Sequence, residues 1–429
     1  MGNTFGFLRS ESGSALQFTV VEACKAEDVD LAQTCNLTFS ADHELVSVGN
    51  VTKGTMLPQP GIAGIGIWIA MVLFFFVVVI SLIFVIVELW FRTNVSQYSI
   101  FACFRDKPKT DPKDPNADPD WKDKVRAAGR TFVLGVADTQ TIFVGAFLLG
   151  FAGRNKCKLT SYHFTVAVSQ MMIALSVITL SVALVRTYWR SPFAAAFRLS
   201  LSVGAFVGVG LTIFREANYA PVGPLEDLKK DSAILLPVAC LLEMNLRSAA
   251  EEQARENQAE LGFGDATSWP PERYMYIVLV VAFLAAHISV PFRFAESRKR
   301  IPEVVTKRRA VFTCMYWILV LLTPMVTSTF CWSRVYTMRE WVAKSGWMED
   351  PNTEMIVWDS GQLIAMGILI TVVMNVLTEA KERKKKDVKK ESQDEANEPL
   401  VSRNPSPNHT YAQGYGYEPN RSFNTSRVR

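Results

Sequence analysis

Residues Thr131 to Arg190 read TFVLGVADTQTIFVGAFLLGFAGRNKCKLTSYHFTVAVSQMMIALSVITLSVALVRTYWR. Two apolar segments, 132–151 and 163–185, flank a short polar turn that contains Cys157. About 20 consecutive apolar residues suffice for a helix to cross a bilayer. The stretch therefore predicts a transmembrane helical hairpin.

The charges beside this hairpin predict its orientation. Arg186 and Arg190 follow the second segment, and Lys and Arg collect on the cytosolic side of membrane proteins. The turn with Cys157 is then expected on the opposite, oxidising side.

Apolar blocks elsewhere extend the hairpin to an all-α polytopic membrane protein of seven helices. Their approximate bounds are 62–88, 132–151, 163–185, 195–214, 274–292, 311–330 and 360–377. With this division, 29 Lys and Arg fall on the predicted cytosolic side and 15 on the outer side. The N-terminus is therefore predicted outside and the C-terminus in the cytosol.

Two tails flank the predicted bundle of residues 61–378. The outer tail, 1–60, contains the sequons Asn36-Leu37-Thr38 and Asn50-Val51-Thr52, so we predict glycosylation at Asn36 and Asn50. The last residues, 379–429, are poor in apolar residues and rich in Asn, Ser, Pro and Gly. This composition predicts a disordered cytosolic tail.

The seven cysteines contain no C-x-x-C metal spacing, and those on the outer side are expected to form disulfides. We predict the pairs Cys24–Cys35 and Cys157–Cys240, with Cys331 as the rival partner of Cys157 or Cys240. The second bond would hold the apolar run 233–242, which is too short to span a membrane, over the bundle as a lid.

One carboxylate, Asp138, lies inside a predicted helix, where an unpaired charge is costly. It is expected to join a polar cluster in the cytosolic half, with Arg198 as its preferred partner. The two interpretations are a structural tie between helices and an ion or proton site. The candidate cluster consists of Glu88, Asp138, Arg186, Arg198, His287 and Asn375.

Glutamines and small residues in the predicted helices suggest a cavity and a helix-packing face. Gln140, Gln170 and Gln362 are candidates to line a central cavity, or else to bond across helices. A four-residue spacing of small residues in the fourth helix predicts a face for close helix packing. Its members are Ser200, Gly204, Gly208 and Thr212.

The sequence favours no enzyme. Only four histidines are present, too few in the helices for a haem bundle or an intramembrane zinc site. Motifs for a serine nucleophile, a phosphate loop or a metalloprotease are missing. We therefore expect no catalytic residue, no cofactor and no metal, and the net charge of +4 gives no support for nucleic-acid binding.

Four short signatures resemble those of a group of fungal seven-helix integral membrane proteins of unestablished function. They are Ala137-Asp138-Thr139-Gln140, Cys157-Lys158-Leu159-Thr160-Ser161-Tyr162-His163, Pro237-Val238-Ala239-Cys240 and Trp358-Asp359-Ser360-Gly361-Gln362. The resemblance implies a seven-helix architecture and attaches no activity to it.

Three function classes remain. A receptor-like or sensor-like protein fits the outer tail, the cysteine before the third helix and the basic inner loops. A transporter or channel is the first alternative, and a membrane scaffold is the second. The expected partners are the lipid bilayer and, at the basic loops and tail, anionic lipid or cytosolic proteins. The plasma membrane or another membrane of the secretory pathway is the expected location.

Overall fold

The computed structural model describes residues 20–25, 28–73, 76, 79–80, 83, 121–153, 157–184, 192–216, 232–259, 261–263, 270–298 and 307–356. All of them belong to one compact unit, Met1–Glu379. The predicted helix 360–377 and the predicted tail 379–429 lie outside the described residues, as does most of the second half of the predicted helix 62–88.

The N-terminal region is small and mixed. Helices α1 (Val20–Lys25) and α2 (Leu31–Thr34) precede a three-stranded antiparallel sheet and the short helix α3 (Pro60–Ala63). The strands are β1 (Leu37–Phe39), β2 (Leu45–Val48) and β3 (Val51–Thr52). Asp30 starts α2 by accepting a hydrogen bond from the Ala32 amide at 3.0 Å.

Among the described residues that follow, five helices are long, and two short helices lie in a connection. The long ones are α4 (Trp121–Gly153), α5 (Ser161–Leu184), α6 (Pro192–Glu216), α9 (Pro271–Arg298) and α10 (Lys307–Ser345). The short ones are α7 (Val238–Leu242) and α8 (Met244–Glu256). Each long helix contains a stretch long and apolar enough to cross a membrane, and a shorter apolar stretch covers Pro60–Leu73. The chain is therefore a helical, multi-pass membrane protein.

Helix α5 is the centre of the bundle. All its residues from Ser161 to Ala183 are buried, whereas the surrounding helices expose large apolar side chains outward. A continuous belt of exposed apolar side chains is expected where a protein faces lipid. The belt includes Ile142, Leu149, Phe197, Leu201, Val281, Leu284, Ile318 and Leu322.

Helix α10 is longer than the sequence predicts. The sequence predicts a helix over 311–330, but the helix continues to Ser345 and has 39 residues, about 58 Å at the usual rise. Val335, Met338 and Val342 recur at three- and four-residue spacing and are buried. This periodicity within a polar segment keeps the chain helical beyond the membrane-length apolar run.

One end of the bundle carries a disulfide cap, which consists of residues 20–25, 28–59, 157–160, 232–259 and 346–356. Backbone hydrogen bonds join its segments. The Met56 amide donates to the Trp347 carbonyl at 3.0 Å, and the Val238 amide donates to the Leu159 carbonyl at 2.9 Å. The N-terminal segment is thus a folded part of the cap.

The disulfides of this cap differ from the predicted pairs. Cys24 is bonded to Cys157 and Cys35 to Cys240, with Cα separations of 5.6 and 5.5 Å. The predicted pairing was wrong because it treated the N-terminal segment as an independent unit closed by a short loop. Among the described cysteines, Cys331 is buried and free.

The apolar run 233–242 is also held by a different route. Its residues from Ala233 to Leu241 are buried, and the Ser161 amide donates to the Leu236 carbonyl at 2.8 Å. The run therefore lies against the first turn of α5, fixed by Cys35 and by backbone bonds. A Cys157–Cys240 bond, on which the lid prediction rested, is not formed.

The predicted small-residue face of α6 packs only in part. The site of a Cβ at Gly208 is in contact with Leu148 of α4, whereas the space at Gly204 is open. Close approach also occurs at Gly210, which is outside the predicted face and where the Tyr276 hydroxyl fills the position of a Cβ. That hydroxyl donates to the Phe206 carbonyl at 2.6 Å, so Gly210 is the glycine that α6 needs against α9.

Because Gly210 is crowded and Gly204 faces open space, alanine substitutions at these two positions of α6 should have opposite effects. Gly210→Ala should lower the free energy of unfolding by about 1–3 kcal/mol, because the Tyr276 hydroxyl must move and lose its acceptor. Gly204→Ala should be neutral or stabilising by up to about 1 kcal/mol, because alanine favours the helix and meets open space. Thermal unfolding of both purified variants in detergent checks this, and equal melting temperatures would contradict the packing described for Gly210.

Candidate functional site

Polar side chains are concentrated where α5 begins. Thr160, Tyr162 and His163 lie within four consecutive positions, and the latter two are 1% and 0% exposed. His163 Nδ1 lies 2.7 Å from Thr160 Oγ1. Buried polar groups of this kind require partners, and the remaining ones come from a distant part of the chain.

The shared partner is Glu354, whose carboxylate is 2% exposed. One carboxylate oxygen lies 2.7 Å from His163 Nε2 and accepts from the Gln59 amide at 2.8 Å. The other oxygen accepts from the Tyr162 hydroxyl at 3.1 Å. Because a carboxylate only accepts hydrogen bonds, its presence assigns the imidazole proton to Nε2. We call Glu354, His163, Tyr162 and the Gln59 amide the Glu354 cluster.

Local sequence positions each member of this cluster. Asn352 caps the 3-10 turn Thr353–Met355 by accepting from the Glu354 amide at 3.0 Å. Gln59 immediately precedes Pro60, which starts α3. The cluster thus joins the start of the first apolar helix, the start of α5 and the segment that precedes the predicted seventh helix.

The electrostatics of the cluster favour an ionised Glu354. Burial alone would raise the pKa of this carboxyl, but the His163 hydrogen bond and charge, the Gln59 amide and the Tyr162 hydroxyl together lower the pKa below the ordinary value. Arg339 of α10, which is 8% exposed, adds a positive charge that acts on Tyr162. The carboxylate is therefore held as an anion by donors from several segments.

The arrangement is suited to fastening segments together. Each acceptor oxygen of Glu354 already receives a donor, and the cluster contains no nucleophile beside a free base. Across the described ranges, no three His, Cys, Asp or Glu side chains are placed to hold a metal ion. The cluster therefore ties the segment 346–356 of the disulfide cap to the starts of two helices.

Asp138 is paired with Arg198 across α4 and α6. Arg198 Nε donates to both carboxylate oxygens at 2.9 and 3.0 Å, and its terminal NH2 donates to one of them at 2.9 Å. The two side chains are 40% and 32% exposed, so the pair lies on the flank of the bundle. A bidentate pair of this kind ties two helices, and Arg198 is the partner that the sequence favoured.

The other members of the predicted intramembrane cluster do not join this pair among the described residues. His287 lies in α9 with Nδ1 3.0 Å from the Phe283 carbonyl. Glu88, Arg186 and Asn375 lie outside the described residues. The Asp138–Arg198 pair is therefore the part of that prediction that the structure brings together.

Two of the three candidate cavity glutamines are described, and both are buried. Gln170 donates from Nε2 to the Ile62 carbonyl at 2.8 Å, and Gln140 is 2% exposed on α4. Gln362 lies outside the described residues.

Both sequon asparagines are on the surface of the disulfide cap. Asn36 and Asn50 are exposed, and Asn36 Oδ1 accepts from Gln253 Nε2 at 2.8 Å. That contact leaves the asparagine nitrogen, which is the atom that carries a glycan, unused by Gln253. Glycosylation of both residues stays a prediction.

Sequence reasoning missed Glu354 and a second ion pair near the cap, between Glu272 and Arg334. Nothing around Glu354 marks it locally, because its partners are 191 or more positions away in the chain. The signature from Cys157 to His163 did contain Thr160, Tyr162 and His163. That cluster of polar types at the start of an apolar helix was the available signal.

Comparison with known proteins adds no assignment. No protein-family model matches this chain, and no curated protein or solved structure matches it. The resemblance carried by the four signatures therefore stays a prediction.

The lowered pKa of Glu354 predicts a pH-dependent effect of removing its charge. Glu354→Gln should lower the free energy of unfolding by about 3 kcal/mol near pH 7, because the amide leaves buried donors unpaired. The folded carboxyl has a lower pKa than the unfolded one, so its contribution is present above the ordinary value of 4.5 and is lost as pH falls through the folded pKa. The difference in stability between wild type and variant should therefore shrink toward pH 3.

Thermal unfolding in detergent from pH 7 to pH 3 measures that difference. Glu349→Gln is the matched control, because Glu349 is exposed five positions earlier in the chain. It should follow the wild-type profile. A Glu354→Gln protein as stable as wild type at pH 7 would show that the cluster does not hold the segments together.

Proposed function

We propose that this chain is a non-enzymatic, receptor-like or sensor-like membrane protein with seven helices, its N-terminus outside and its C-terminus in the cytosol. The five long helices account for five of the crossings. The stretch Pro60–Leu73 and the predicted helix 360–377 supply the other two.

The orientation is supported by chemistry at the two ends of the bundle. Both disulfides and both sequons belong to the disulfide cap, and disulfides persist in oxidising compartments. Helix α9 ends at the opposite end of the bundle with Arg298, and Lys299 and Arg300 are next in the sequence. The cap then faces outward and the basic loops face the cytosol.

The observation that carries the sensor-like function is the Glu354 cluster. It joins the folded outer cap to the first apolar helix, to the central helix α5 and to the segment before the predicted seventh helix. A ligand or partner that moved the cap would change the contacts of three helices at once. Coupling of this kind requires two arrangements of one element, which both ends can bias.

A single proteolysis experiment on sealed membrane vesicles tests both the orientation and the coupling of the cap to the helices. Trypsin should cut after Lys299 or Arg300 in inside-out vesicles only, and a glycosidase should remove glycans in right-side-out vesicles only. If the cap is coupled to the helices, Glu354→Gln should change the rate of that cut by about fivefold or more. Glu349→Gln is the control and should keep the wild-type rate.

The outcomes separate the alternatives. Cutting in right-side-out vesicles would contradict the orientation. The expected orientation with identical rates in both variants and wild type would contradict the sensor-like function and favour a membrane scaffold.

A further inference from the structure

Two helices of the apolar belt, α4 and α6, touch at two levels along their length. At the first level, Nε of Arg198 in α6 donates to both carboxylate oxygens of Asp138 in α4, at 2.9 and 3.0 Å. Ten residues further along each helix, Leu148 of α4 occupies the position of a Cβ at Gly208 of α6. The equal step along both helices means that α4 and α6 run in parallel.

Between these two contacts the helices leave a groove. Gly145 follows Asp138 by seven residues, which is about two helical turns, so both residues lie on the same face of α4. Among the described residues, no atom lies within 4 Å of a Cβ added at Gly145, and none lies within 4 Å of one added at Gly204, one turn before Gly208. We call this open space, with a glycine on each wall, the α4–α6 groove.

The charged pair closes one end of the α4–α6 groove and is itself accessible. Asp138 is 40% exposed and Arg198 is 32% exposed, although they lie in the membrane-length stretches Phe132–Gly150 and Phe193–Phe214. Both residues are about 8–9 Å from the start of their stretch. Side chains in a helix point back toward its N-terminus, so the charged atoms reach toward the level of the lipid headgroups.

The pair retains both hydrogen-bond donors and an acceptor site for a ligand. Arg198 uses Nε and one Nη2 proton to bind Asp138, which leaves both N–H groups of Nη1 unused by the pair. A carboxylate has about four lone-pair sites, and the Arg198 bonds take up three of them. A ligand can therefore place an anionic oxygen at Arg198 and an N–H donor at Asp138.

We propose that the α4–α6 groove binds a phospholipid whose headgroup carries both a phosphate and a primary ammonium, as in phosphatidylethanolamine. The phosphate accepts from Nη1 of Arg198, the ammonium donates to Asp138, and one acyl chain lies along Gly145 and Gly204. The charges of the four groups then sum to zero.

Charge complementarity distinguishes this lipid from the other common ones. An anionic headgroup without an ammonium adds a second negative charge beside Asp138 with no further cation in the pair to balance it. A choline headgroup has no N–H group and donates no hydrogen bond to the carboxylate. The pair therefore favours a primary ammonium next to the phosphate.

This site goes beyond the proposed function, because it requires only that α4 and α6 face lipid. It gives the Asp138–Arg198 pair a role in addition to the connection of two helices. With the proposed orientation, the lipid belongs to the cytosolic leaflet, since Arg186 and Arg190 lie just before α6 in the sequence.

Melting of the purified full-length protein with added lipid tests the site. Delipidated protein in detergent is heated with phosphatidylethanolamine, phosphatidylcholine or phosphatidylglycerol, all with the same two oleoyl chains. Phosphatidylethanolamine should raise the melting temperature saturably by about 2 °C or more. The other two lipids should raise it by less than about half as much, because each lacks one complementary group.

Three variants separate the groove from the charged pair. Gly145→Leu should abolish the rise, because the leucine fills the groove and leaves the ion pair intact. Gly150→Leu is the matched control and should keep the rise, since Gly150 also faces open space but lies about 140° around α4 from Gly145. Asp138→Asn retains an acceptor for Arg198 and removes the negative charge, so phosphatidylglycerol should then give the larger rise.

Several results would overturn the site. They are equal rises with all three lipids in wild type, no rise with any of them, and a rise in Gly145→Leu equal to that of wild type. If a second copy of the chain filled the groove instead, wild type would be a dimer in detergent and Gly145→Leu a monomer, which would also overturn it. These measurements do not depend on orientation, so failure of the site is distinguishable from failure of the topology.

Discussion

A buried carboxylate, that of Glu354, joins three segments of the described chain. Glu354 is almost completely removed from solvent, yet its donors come from two other segments that are far away in sequence, at Gln59 and at Tyr162 and His163. Taking a charge out of water is costly unless hydrogen bonds and an opposite charge replace the lost hydration. The three segments must therefore assemble together, or the carboxylate is left unpaired. The start of α5, the start of the first apolar helix and the segment 346–356 consequently occupy one place at the cap end of the bundle.

The apolar stretches of the helices and the regions beyond them are stabilised by different interactions. Within the apolar stretches, α5 is enclosed by neighbours that expose Leu, Ile, Val and Phe outward, and hydrophobicity alone predicts these elements. Beyond them, α10 continues to Ser345 because a buried stripe of Val335, Met338 and Val342 packs within a polar sequence. The cap is therefore built by amphipathic packing, two disulfides and backbone bonds. Between the helices of the bundle, Gly210 packs beneath Tyr276, and the Asp138–Arg198 pair ties α4 to α6 on the flank.

The features that could be predicted from the sequence are those that neighbouring residues in the chain determine. Apolar runs of membrane length are local, so the five described long helices were predicted within a few residues at most ends. Asp138 and Arg198 could be matched by depth, because two charges within apolar segments have few other partners. The partners of Glu354 could not be predicted, because they come from distant segments that meet only in the folded protein. The cysteine pairs failed for the same reason: Cys24 and Cys35 are close in sequence but face different segments of the cap. The break after α3, where Gly64 is extended, is a backbone conformation, which an apolar pattern does not reveal.

The N-terminal segment is folded into the disulfide cap and is fastened to the rest of the chain by two disulfides. Peptide mapping of the non-reduced protein by mass spectrometry tests this claim most directly. Two linked peptide pairs are expected, one joining Cys24 to Cys157 at the entrance of α5 and one joining Cys35 to Cys240 in α7. A peptide with Cys24 bonded to Cys35 would instead indicate an independent tail and would contradict the folding of this segment into the cap.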